Sequence, residues 1–189
     1  ITPRKGQLEL IETFAETSRE MPDSTLLIVG SPIFNQDEIY LEKLKETVEN
    51  LGLQTKVKFI GSRSDVQAVM QSLDFVVINS SSEALVLVAL EAMACGTPVI
   101  ATDVGGTTEI IKHGVNGWIV PFGDVKALRE AILTVGRDKE LRRKYAEESR
   151  KIAVSQLSAE IFINKIEKFY EQCLPAEEKA VGNDLAAQN

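Results

Sequence analysis

Short, nearly continuous apolar runs alternate with helix-patterned stretches along this chain, and that alternation constrains its fold more than any other feature. The runs read TLLIVG (25–30), KVKFIG (56–61), DFVVIN (74–79), PVIAT (98–102) and GWIVP (117–121). Segments that are apolar at successive positions, not every second one, are covered on both faces, as interior parallel strands are. Helical spacing fills the intervals at 7–20, 37–51, 64–72, 86–95, 107–113 and 125–136, with Gly52, Gly96 and Gly114 placed as C-terminal stops. Two further helices are expected at 139–153 and 158–174. The order βαβα predicts an α/β fold, a Rossmann-like doubly wound parallel sheet with helices on both faces.

A chain of 189 residues with 44% apolar content suits one such domain, expected over residues 1–174. The stretch 175–189 has few large apolar residues and is expected to be a disordered tail. The first helix starts only a few residues into the sequence, so the strand that a βαβ series places before it is expected to be missing. No apolar run approaches the twenty or so residues that cross a bilayer. The start, ITPRKGQLEL, has no signal-peptide core. A formal charge of −7 disfavours bulk binding to nucleic acid or anionic lipid. Cys95 and Cys173 lack the spacing of a zinc site or redox pair and read as reduced packing residues of a cytoplasmic protein.

The most informative stretch is SSSEALVLVALEAMACGTPVIATDVGG, from Ser80 to Gly106. It joins a strand to a loop, a helix and another strand, and ligands of open parallel sheets bind beyond the carboxyl ends of the strands. Glu83 and Glu91 stand eight positions apart across loop and helix, roughly 12 Å if fully helical. That spacing fits two contacts within one shared crevice on a long ligand such as a nucleotide-diphosphate sugar, with a hexose at one end and a ribose diol at the other. The diphosphate between them would meet the free backbone N–H groups of a helix start, supplied by Ala84, Leu85, Val86, Leu87 and Val88. Because VLVALEAMAC is apolar nearly all round, the helix is expected to be buried, and a buried Glu91 would need a partner. A surface salt bridge is the plainer reading of Glu91, and stabilisation of a helix start that of Glu83.

This segment, followed by EIIKHGVNGWIVPFGD (109–124), resembles the donor-binding domain of the family 4 glycosyltransferases, also called glycosyltransferase group 1. The likeness runs from Pro3 to about Leu174. It implies one half of a two-Rossmann-domain (GT-B) fold that binds a nucleotide-diphosphate sugar, UDP- or GDP-linked, and takes part in retaining transfer of the sugar without metal or other cofactor. By the same resemblance Glu83 contacts the donor sugar, Glu91 the ribose and Lys5 the diphosphate. FIGSRSD (59–65) matches the loop that holds the base, making Gly61, Ser62 and Arg63 backbone contacts to it. The implied partner is an N-terminal acceptor-binding domain in the same parent chain, without which turnover is not expected. Peripheral membrane contact is expected only in that full-length parent.

Three departures from the family pattern stand out. A glycine-aromatic-glycine run after the first glutamate is here Ala84, Leu85 and Val86, and a side chain at Val86 is expected to restrict close approach by the donor. An arginine that shares the diphosphate with Lys5 falls just before Ile1. The acceptor-binding domain is expected to lie outside this sequence. Val86 motivates an alternative, an inactive glycosyltransferase-like binding module. A dinucleotide oxidoreductase would need a Gly-x-Gly-x-x-Gly turn, which this sequence lacks. Gly105 and Gly106 read as turn formers, Asp103 as an N-cap or a group behind the cleft, and His113 as a helix-end residue and not a general base.

Overall fold

The computed structural model describes residues 1–173. After a short 3-10 turn at Pro3–Lys5, the elements run α1 (Gln7–Glu20), β1 (Leu26–Val29), α2 (Asn35–Asn50), β2 (Val57–Gly61), α3 (Val66–Gln71), β3 (Val76–Ile78) and α4 (Leu87–Cys95). They continue with β4 (Val99–Thr102), α5 (Thr107–Ile110), β5 (Trp118–Val120), α6 (Val125–Arg137), α7 (Lys139–Gln156) and α8 (Ala159–Cys173). All strand pairs are parallel, as the unbroken apolar runs require.

The expected single sheet is two. β1 pairs with β2, and β3, β4 and β5 form a separate ladder in that order. β4, paired on both sides, is buried at all four positions. β1 and β3 each keep an unpaired edge and are half-buried at their first two positions. The N-terminal segment links the two sheets across their carboxyl ends. The Ile1 amino group donates to the Ser31 carbonyl beyond β1 at 2.9 Å, and the Ser81 amide beyond β3 donates to the Arg4 carbonyl at 2.9 Å.

α1 welds the sheets from one side. Its inward face divides, Ile11 and Phe14 packing with Ile28, Leu44 and Val57, while Leu10 joins Ile100, Val120, Leu128 and Tyr145. Burying a side chain of this size contributes about 1.5–3 kcal/mol, so α1 is a main source of cohesion between the ladders. α6 starts at Asp124, whose Oδ1 accepts from the Ala127 amide at 2.9 Å and satisfies one orphan donor of its first turn.

α5 ends at Ile110, three residues short of the expected stop. The cause is the fully buried Asn116, whose Oδ1 accepts from the Lys112 amide at 2.6 Å and whose Nδ2 donates to the Ile110 carbonyl at 3.0 Å. Its side chain thus replaces the next helical turn. Asp103 does not cap this helix, which starts after Gly106.

Ile1–Lys151 forms one compact unit, and a second begins at Ile152 within α7. In that second unit α8 has no buried residue. Cys173 is therefore exposed and not a packing residue, whereas Cys95 is half-buried, and both are free thiols. The expected tail at 175–189 lies outside the described residues. Among the described residues no helix is long and apolar enough to cross a membrane, and no cluster of metal-ligating side chains occurs.

Candidate functional site

The carboxyl ends of β3 and β4, the turn at Pro3–Lys5 and the start of α4 meet around one carboxylate. Glu83 follows β3 with its side chain only 7% exposed. Its Oε1 accepts from Lys5 Nζ at 2.5 Å and from Ser80 Oγ at 2.6 Å, and its Oε2 lies 3.4 Å from an Arg4 guanidinium nitrogen. The same Arg4 nitrogen donates to the Ser82 carbonyl. Burial pushes the Glu83 carboxyl up, but the hydrogen bonds from Lys5 and Ser80, the Lys5 charge and the Arg4 contact outweigh it and hold the group below its ordinary value. Glu83 is thus a fixed anion.

Two glycines make this arrangement possible. At Gly6, with φ of 63°, a Cβ would stand 2.1 Å from the Asn79 carbonyl oxygen, so only glycine lets the Lys5 turn lie against the end of β3. Asn79 Nδ2 reinforces the contact by donating to the Gly6 carbonyl at 3.0 Å. At Gly105, with φ of 51°, a Cβ would fall 1.6 Å from the Glu83 carbonyl oxygen. The loop after β4 therefore seats the Glu83 backbone, which bears out the reading of Gly105 as a structural turn residue.

Glu91 stands differently. It is exposed, because α4 buries only Ala89, Ala92 and Met93, a single face at spacing three and four, and leaves Leu87 59% and Val88 41% exposed. The expectation of a buried helix fails, and with it the argument that Glu91 must have a partner. Its side chain makes no ion pair among the described residues. The apolar composition of α4 reflects an open face as much as a buried one.

The run between the two glutamates is mixed. Ala84 and Leu85 are exposed, whereas Val86 is only 2% exposed and has a φ of −86°. The Val86 side chain points into the core and does not stand in the crevice, correcting the expectation that it restricts the approach of a ligand. The Ala84, Leu85, Val86 and Val88 amides make no backbone hydrogen bond among the described residues, while the Leu87 amide turns onto the Leu85 carbonyl. Such a row of amides leading into a helix suits an anion.

On the neighbouring ladder, Gly61 closes β2 with φ of 67°, and its carbonyl accepts from the Gly30 amide. The Ser62 amide donates to Ser31 Oγ at 3.1 Å. Two of the backbone groups expected to meet a base are therefore already engaged. Arg63 grips Asp65 in a fork, Nε to Oδ1 at 2.8 Å and the terminal nitrogen to Oδ2 at 2.7 Å. His113 accepts the Ile119 amide on Nδ1 at 3.1 Å and meets Trp118 edge to face, a structural role. Near the Pro3–Lys5 turn a hollow of about 160 Å³ is lined by Pro3, Gly6, Asn79, Ser81, Phe122 and Val125 among others, and it includes neither Glu83 nor Glu91. The two acidic side chains do not share that hollow.

Sequence reasoning missed Arg4 and Ser80. Both reach Glu83, Ser80 from the same loop and Arg4 from the far end of the chain. The basic pair Arg4–Lys5 was visible, but nothing local ties it to a residue almost eighty positions away.

The family model for glycosyl transferases group 1 matches residues 1–152. The chain belongs to that family. This group 1 domain is 30% identical over 166 residues to the N-acetyl-alpha-D-glucosaminyl L-malate synthase of Bacillus anthracis, covering 88% of its own length and 42% of that protein. Its fold superposes on the Anabaena protein Alr3699/HepE, crystallised in complex with UDP, with a TM-score of 0.85 and 31% identity over 90% of this chain and 46% of that one. It also matches the C-terminal domain of the group 1 protein LpcC from Francisella tularensis, with a TM-score of 0.78 and 30% identity over 84% and 83% of the two chains. The group 1 domain thus spans less than half the length of HepE and of the synthase, but most of an isolated C-terminal domain.

Proposed function

We propose that this domain binds a nucleotide-diphosphate sugar for a parent glycosyltransferase that transfers the sugar with retention at its anomeric carbon. The observation that carries the reading is the Glu83 carboxylate, buried beside two cations at the strand ends of a group 1 chain. In this reading Glu83 accepts from a sugar hydroxyl through its remaining lone pairs. Lys5 neutralises the leaving diphosphate as its charge grows, with the Ala84–Val88 amides beneath it. Glu91, exposed one helix face away, accepts from the ribose diol, and the 61–63 loop edges the base. UDP is the favoured nucleotide, since HepE was crystallised with UDP and with UDP-glucose.

The solvent-exposed Arg4 and Lys5 at the strand ends fit a domain whose parent supplies an opposite wall. The same parent is proposed to provide the acceptor site and a strand between the free edges of β1 and β3. The work is proposed to be done in the cytoplasm, where nucleotide sugars are at hand. The inactive-module alternative keeps the Ala84–Leu85–Val86 departure, but the inward Val86 removes its steric ground.

Calorimetric titration of UDP and UDP-glucose tests the reading. Wild type binds both. Glu91→Ala loses both with an unchanged melting temperature, and unaltered affinity in that variant rejects the ribose assignment.

A further inference from the structure

Arg4 and Lys5 bring two positive charges to one carboxylate, Glu83. One positive charge is left over, in a chain whose formal charge is −7. Both cations are open to solvent, Arg4 at 49% and Lys5 at 35% side-chain exposure, while the carboxylate beneath them is not. Arg4 uses a single terminal nitrogen for both its contacts, to Ser82 and Glu83, so the other nitrogens of its fork make no hydrogen bond among the described residues. Lys5 likewise commits one of its three donors. The unpartnered amides of the Ala84–Val88 run begin one residue beyond Glu83.

We propose that Arg4 is a further cation for the donor's diphosphate, and that in the free domain Glu83 stands in for that diphosphate. This rests on the donor-binding reading above. Donor binding is then an exchange: Arg4 and Lys5 turn from one carboxylate to the more highly charged diphosphate, and the Glu83 oxygens they release become acceptors for sugar hydroxyls. Guanidinium forks pair with phosphate oxygens two at a time, which a lysine cannot do. The exchange couples the two ends of the site, because the diphosphate, in taking the cations, frees further lone pairs of Glu83 for the sugar.

The test is titration of UDP, GDP, ADP, UMP and UDP-glucose into the full chain and into Arg4→Gln, Arg4→Lys and Glu83→Gln, each first checked by thermal melting. Arg4→Gln should weaken UDP on the order of tenfold and UMP much less, compressing the preference for the diphosphate, with Arg4→Lys restoring part of it. Glu83→Gln should tighten UDP severalfold, because it frees both cations, and should abolish any advantage of UDP-glucose over UDP. UDP affinity within twofold of wild type in a folded Arg4→Gln variant overturns the role of Arg4. Weaker UDP binding in Glu83→Gln overturns the exchange. If wild type binds none of UDP, GDP or ADP, the donor-binding reading itself falls; if it binds one of them and Arg4→Gln does not change that, only the present inference falls.

Discussion

Glu83 and Glu91 are the same residue eight positions apart, each followed by apolar neighbours, yet one is an anchored anion and the other a free surface acid. Glu83 lies where three segments converge, and its oxygens face Lys5, Arg4 and Ser80. Glu91 lies on the open side of α4, opposite the face that holds Ala89, Ala92 and Met93. The contrast shows that the environment of an acidic side chain is set by which other segments reach it, not by the hydrophobicity of its own helix. It also separates two tasks. A pre-set carboxylate can orient a group while only the cations around it move, and a free one must be ordered by its ligand.

The contrast breaks most severely at its backbone support. Gly105→Ala drives a Cβ onto the Glu83 carbonyl at a positive φ, and should destabilise the domain by about 3 kcal/mol or more. Denaturant unfolding measures this, and a loss below 1 kcal/mol would show that the loop after β4 yields freely. Next in size, Glu83→Ala strands Lys5 and Ser80 and should cost about 1–3 kcal/mol. Glu91→Ala, measured the same way, should stay within about 0.5 kcal/mol, as exposed substitutions do. Equal losses at the two sites would erase the distinction.

Titration sharpens the comparison further. The folded-state pKa of Glu83 is depressed, so its stabilising contribution is full above the unfolded carboxylate value and is lost as pH falls through the folded one. The stability gap between wild type and Glu83→Gln should therefore be widest near neutral pH and close in acid. A gap that widens on acidification would mean the carboxyl is raised, not lowered. The smallest effect belongs to the inward valine. A conservative Val86→Ala change should lower stability through lost burial, about 1–2 kcal/mol, but leave UDP affinity within about twofold.

Much of the fold was legible. α1 begins and ends where its spacing indicates, because Gly6 and Met21 bracket a single buried face. All five strands sit inside their apolar runs. Three things were not legible, each for a physical reason. The break in the sheet depends on which edges pair, and apolar runs do not report partners. The early end of α5 depends on Asn116, six residues beyond the carbonyl it binds. The open face of α4 was hidden because composition says how apolar a helix is, while only neighbouring segments decide which side is covered. At the site, Glu83 and Lys5 were readable from motif context, but that they touch was not.

The most direct measurement is a crystal structure of the domain with UDP-glucose. The account predicts the diphosphate within hydrogen-bonding distance of Lys5 and the Ala84–Val88 amides, a hexose hydroxyl on Glu83 and the ribose on Glu91. A nucleotide sugar seated elsewhere, with the Lys5–Glu83 ion pair intact beneath solvent, would contradict it.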